Sequence, residues 1–184
     1  MKINNTTLID QLLKITEEVL TELKMLSEMS EKQLQYKTNS ESWSAMECIE
    51  HLNRYGDFYI PEIQRCLNSN QAIKGEFEFK SGVLGNYFAN MMKFDTSKKM
   101  KTMNSMNPVN SEIRLDVLNI FKTQQELTLR LLNEARHFNL NSIRTKISIS
   151  NLIKLRLGDT FRFVIYHNQR HMKQALKSAS HFKE

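Results

Sequence analysis

Apolar residues recur along this sequence at the helical period, and that constrains the fold more than any other feature. Leu8, Leu12, Ile15, Val19, Leu23 and Leu26 are spaced by 4, 3, 4, 4 and 3, with Glu17, Glu18, Glu22 and Lys24 on the other side. A helix turns about 100° per residue, so this spacing gathers the apolar side chains on one stripe and predicts helix one from about Thr6 to Met29. Breakers are scarce: five Gly and two Pro in 184 residues leave too few turn signals for an all-β chain.

Ser44-Ala45-Met46-Glu47 has the S-x-x-E form of a capping box, which satisfies free amides at a helix start. Helix two is therefore expected from there to near Asn68. Pro61 lies inside it and should kink or break it, because proline offers no amide hydrogen and crowds the preceding turn. Residues 70 to 109 hold Gly75, Gly82, Gly85 and Pro108, with one short amphipathic piece from Val83 to Phe94. A crossover of that length usually carries a binding surface or closes over one. Asn110 or Ser111 is the expected cap of helix three, in which Ile113, Val117, Ile120, Leu127 and Leu131 form the apolar stripe to about Arg136. Residues 137 to 156 read as irregular, with a brief alternation at Thr145 to Ile149 compatible with an extended piece. Helix four is expected from about Gly158, on Phe161, Val164, Ile165, Met172, Ala175 and Ala179, with Asp159 or Thr160 near its start.

Four long helices, two short links and one long crossover between helices two and three describe an all-α, four-helix bundle, expected as a single domain over residues 1–184. The ten methionines read as core. No run of about 18 apolar residues occurs, and the first ten residues lack a secretory apolar stretch, so no membrane association and a cytoplasmic location are expected. Cys48 and Cys66 lie 18 residues apart on helix two. That is roughly 27 Å along a helix, too far for a disulfide, which suits reduced thiols. The net charge is +6, but the basic residues are scattered and their one cluster, Lys98-Lys99-Met100-Lys101, sits in an expected loop. Nucleic acid is not the expected partner.

His167 and His171 are four apart, one turn above each other on helix four, so both can reach one ion. At about 100° per residue they stand roughly 70 to 110° from the centre of helix four's apolar arc, and His51 stands about 110° from that of helix two. Such shoulder positions fit a cleft between two helices. They equally fit boundary histidines that make ordinary hydrogen bonds.

Trp43-Ser44 followed by Glu50-His51-Leu52, and Leu157-Gly158-Asp159 followed by His167, Arg170-His171 and Gln174, resemble the two signature stretches of the DinB/YfiT superfamily. The resemblance implies an up-down-down-up bundle that binds a divalent metal through one histidine of the second helix and two of the last. Here these are His51, His167 and His171, with zinc or nickel as the expected ion and manganese also compatible. It also implies a small-molecule substrate, a low-molecular-weight thiol in the S-transferase branch, and a homodimer. The function expected is a metal-dependent transferase or hydrolase; the alternative is a non-catalytic, stress-related bundle that binds metal or ligand. Cys48, one turn before His51, departs from the pattern, and a buried thiol is favoured there over a fourth ligand. Glu47 and Tyr55 lie within a turn of His51, Asn168 falls on the apolar side of helix four, and Gln174 shares the line of His167 and His171, so these join Cys48 as candidate pocket residues. No catalytic residue is assigned. His137 and His181 are not proposed as ligands, and no phosphate loop, serine elbow or paired-carboxylate motif occurs.

Overall fold

The computed structural model describes residues 1–73, 75–93, 102–109, 111, 113, 114 and 116–182. The helix end expected at Phe94, the basic cluster Lys98 to Lys101 and the cap expected at Asn110 lie outside these residues. In chain order the elements are β1 (Lys2–Asn4), α1 (Asn5–Ser27), α2 (Glu31–Gln35), α3 (Ala45–Asn68), β2 (Glu78–Lys80) and α4 (Val83–Met91). A 3-10 turn at Asn104–Met106 follows, then α5 (Val117–Ala135), β3 (Arg144–Ile147), β4 (Ser150–Arg156) and α6 (Leu157–Ser180).

The expected helices are α1, α3, α5 and α6. The Asn4 side chain caps α1 by accepting from the amides of Thr6 and Thr7, and Leu8, Leu12, Val19, Leu23 and Leu26 turn inward. Ser44 caps α3: its Oγ accepts from Glu47 N–H at 3.1 Å while the Glu47 carboxylate accepts from Ser44 N–H at 2.9 Å. The helix runs through Pro61 without interruption, correcting the expected break. Tertiary packing outweighs one missing hydrogen bond there, since Ile63, Cys66 and Leu67 beyond it are buried. Helix five starts later than expected, at Val117, on an Asp116 that makes no side-chain cap; Ile113 packs on the core from outside the helix.

Neither Asp159 nor Thr160 caps α6, which starts at Leu157 on Arg156. Asp159 is instead wholly buried, accepting from Arg162 Nη1 at 3.1 Å, from the Gly82 amide at 2.8 Å and from the Ser81 hydroxyl. It thereby ties the start of α4 to α6.

The chain is mostly helical, as expected, and adds two small antiparallel ribbons. β1 pairs with β2 with Ile3 opposite Phe79, and β3, which overlaps the extended piece expected at Thr145 to Ile149, pairs with β4 in residues read as irregular. Three-residue strands carry too little alternation to register, and in β4 only Leu155 is buried among the residues whose side chains are described. The short helix α2 was also missed, although Ser30-Glu31-Lys32-Gln33 forms a capping box as α3 does.

Helix α1 packs on α5 and α6, and α3 packs on the same two. The buried side chains form two apolar clusters along these four helices, one around Leu8, Leu12, Tyr59, Leu132 and Phe161, the other around Val19, Leu26, Ile49, Phe121 and Met172. Each such side chain contributes about 1.5–3 kcal/mol by leaving water. The methionines are not uniformly core: Met172 is wholly buried, whereas Met25 is 53% exposed. Among the described residues no helix is long and apolar enough to cross a membrane.

Candidate metal centre

Docking α3 against α6 brings three histidines from opposite ends of the chain to one point. His51 projects from α3, and His167 and His171 from successive turns of α6. One ring nitrogen from each lies within 4.8 Å of the others. His51 and His167 are 2% and 3% exposed, and His171 is partly buried.

The hydrogen bonds fix where the lone pairs point. His51 Nδ1 stands 2.7 Å from the carbonyl oxygen of Met106. A carbonyl only accepts, so Nδ1 carries the proton and Nε2 offers its lone pair to the cluster. His171 Nδ1 stands 2.9 Å from Gln174 Oε1, and with that oxygen accepting, its Nε2 is freed in the same way. Of the three histidines, His167 is the one left with an unpartnered ring nitrogen. Its Nε2 lies 3.1 Å from His51 Nε2, and its Nδ1 is buried with no hydrogen-bond partner. If His167 protonates Nε2, Nδ1 is a bare buried acceptor; if it protonates Nδ1, two lone pairs face each other across that gap. A cation between the rings relieves the lone-pair clash of the second arrangement, though not the unpartnered Nδ1 itself, and two imidazole nitrogens bound to one ion at about 2.1 Å are themselves about 3.0–3.4 Å apart. The residues present fit a divalent ion.

Burial keeps the three rings neutral, the form that ligates. Desolvation pushes His51 down to about 4 and His171 to about 3, and holds His167 well below its ordinary value, with the neighbouring imidazoles adding to the effect on His167 and His171. Aromatic rings wall the cluster. Trp43 lies 4.8 Å from His51 and stacks on His171 at 5.7 Å, and Tyr55 lies 4.5 Å from His167. Phe163, one turn before His167, stacks on it at 5.9 Å with planes 7° apart. Packing on three sides leaves each imidazole little rotational freedom.

A second layer holds the Met106 carbonyl in place. Glu50, 3% exposed, accepts from Arg54 Nε and Arg114 Nε, both at 3.0 Å. Arg54 in turn donates to the Asn107 carbonyl at 2.7 Å and to Ser111 Oγ at 2.6 Å. The end of the crossover is thus clamped over His51 by charge-assisted bonds. Sequence reasoning missed Glu50, Arg54, Met106, Arg114 and Phe163. The Glu50–Arg54 pair at i, i+4 was visible as a helix-surface ion pair, but nothing marked the Met106 carbonyl.

The remaining candidates divide. Tyr55 faces the histidines, its hydroxyl pushed up to about 12 chiefly by burial, and Gln174 orients His171. Cys48 is wholly buried in the apolar cluster, its thiol pushed up by desolvation and by Glu47, and it is not among the converging ligand atoms. Glu47 is occupied by the α3 cap and by Lys37 at 2.6 Å. Asn168 donates to Gln125 Oε1 at 3.0 Å, joining α6 to α5 away from the cluster.

A mostly helical protein in which two packed helices converge three imidazoles, two buried and one partly buried, belongs, as a class, with helical proteins able to hold a metal ion on histidine. The sequence matches the DinB superfamily over residues 12–175, and the chain belongs to that superfamily. No curated protein and no solved structure matches it.

Proposed function

We propose that His51, His167 and His171 hold one divalent ion, zinc or nickel, and that the protein is a metal-dependent transferase or hydrolase acting on a small molecule, with a low-molecular-weight thiol as the second substrate of a transfer. Manganese suits imidazole less well than either. The observation that carries this reading is the unsatisfied His167 ring, flanked by two histidines whose protons are drawn away from it to Met106 and Gln174. Three protein ligands leave a coordination position open, and an ion so held supplies Lewis acidity that makes a water or thiol nucleophilic near neutral pH. The chain's own contribution is orientation and exclusion of water: Trp43, Tyr55 and Phe163 fix the imidazoles, and the Glu50–Arg54–Arg114 clamp fixes Met106 behind His51.

A non-catalytic bundle that binds metal or ligand is the second reading, and one observation favours it. Glu47 and Glu50, on the same helix as His51, are both engaged elsewhere, and among the described residues the Tyr55 hydroxyl is the acid–base group seen against the histidine rings. The same proposal takes the chain as one domain, a four-helix bundle of up-down-down-up order, cytoplasmic and homodimeric. Elemental analysis of tag-free protein tests the site: stoichiometric zinc or nickel in the wild type and its loss in His167→Ala are expected, and equal uptake by both overturns it. Turnover of thiol and electrophile pairs above the metal-free level separates the enzyme from the binding bundle.

A further inference from the structure

The β3–β4 hairpin brings cations face to face. Its register sets Arg144 opposite Arg156 and Lys146 opposite Lys154. Alternation along a strand puts all four on one face, while Thr145 and Leu155 turn inward and are buried. Directly opposed residues have Cβ atoms about 4.5–5.5 Å apart, and like charges at that distance destabilise a ribbon. None of the four forms an ion pair among the described residues. No ion pair among the described residues relieves that repulsion, and an anion from outside the chain would.

A cleft of about 180 Å³ lies where that anion would sit. One wall is Gly82 to Gly85 at the start of α4; the other carries Arg144, Lys154 and Arg156. The Arg156 Nε is buried without a partner, although its Nη1 bonds to the Lys80 carbonyl. The one carboxylate bordering the cleft, Asp159, is already shared among Arg162, Ser81 and the Gly82 amide and occupies the start of α4. The cations of the other wall therefore keep their charge for a ligand. Three of the four cations meet at this one small cleft, which suits a compact ligand better than a polymer.

We propose that this cleft binds a small phosphate-bearing molecule, with Arg144, Lys154 and Arg156 as its cationic contacts. The site is separate from the histidine cluster and stands whether or not that cluster holds metal. Pyrophosphate serves as the probe, titrated calorimetrically into the full chain at low and high salt. One-to-one binding that weakens with salt is expected, reduced roughly tenfold or more in Arg144→Gln/Lys154→Gln and unchanged in His167→Ala. The charge-removing variant should also unfold no earlier than wild type without the anion, and should lose the anion-induced rise in melting temperature. A purely structural role for these side chains gives the opposite sign. The proposal is overturned if pyrophosphate does not bind, if the double variant binds it equally, if the double variant unfolds earlier, or if His167→Ala abolishes binding, which places the anion on the histidine site. Capture of the protein by phosphatidylglycerol vesicles without pyrophosphate binding also overturns it, in favour of a membrane surface.

Discussion

Lowering the pH from 8 to 5 should weaken the metal-free protein steeply, and the histidine cluster sets the size of the effect. In the unfolded chain each imidazole takes up a proton near its ordinary value of about 6.5. In the folded protein His51 does so only near about 4, and His167 is held well below its ordinary value, because desolvation opposes the charge. Between those limits the unfolded state binds more protons, so stability rises with pH. It is fully present above about 6.5 and drains away as the pH falls toward 4. At pH 5 His51 alone costs about 2 kcal/mol. His167 and His171 shift in the same direction and add to that loss. Against a total of about 5–15 kcal/mol, it is a large fraction of the stability. Urea titrations of chelator-treated protein at pH 8, 7, 6 and 5, followed by the single tryptophan and by circular dichroism, measure it directly. A flat profile between pH 7 and 5 refutes the burial of three neutral imidazoles on which the site reading rests.

Gly158→Ala places a Cβ 2.5 Å from the wholly buried Phe79 ring, and a rigid ring cannot yield cheaply, so the urea midpoint should fall by the equivalent of about 1–3 kcal/mol. Gln174→Ala removes the oxygen that orients His171; because Gln174 is exposed, stability should hardly change while zinc affinity, read by competition with a chromophoric chelator, falls about 10- to 100-fold. Adding zinc or nickel at about 100 times its dissociation constant should stabilise the fold by about 2.7 kcal/mol in a thermal melt, and His167→Ala should abolish the gain. With its ring 4.8 Å from His51, Trp43 should report the same event, losing fluorescence on nickel binding at one equivalent.

The parts of this protein legible in its sequence are those written in short-range periodicity. Ser44 and Glu47 announced the start of α3, the stripe from Leu8 to Leu26 announced α1, and the spacing of His167 and His171 placed two rings on one side of α6. His51 was legible from its shoulder position and from a family resemblance, since no local pattern links it to residues so distant. What stayed hidden depends on a backbone atom or on very short segments. The Met106 carbonyl belongs to no motif, and its position follows from Arg54 and Arg114 meeting on Glu50. Asp159 was read as a cap because acidic residues suit helix starts, yet burial beside Arg162 gave it the task of tethering a second helix. The alternation at Thr145 to Ile149 hinted at β3, but β1, β2 and β4 escaped because strands of three residues, or with a single buried side chain, hardly alternate.

His51 and His167 touch across 116 residues of chain. Their meeting is therefore a late event in folding, since closing so long a loop is worth its entropic cost only once α3 and α6 have found each other. An ion seated there acts as a reversible staple applied after the fact. If its bonds form after the transition state, it would leave the rate of folding nearly untouched and slow unfolding. Metal supply would then govern how long each folded molecule lasts rather than how quickly it forms.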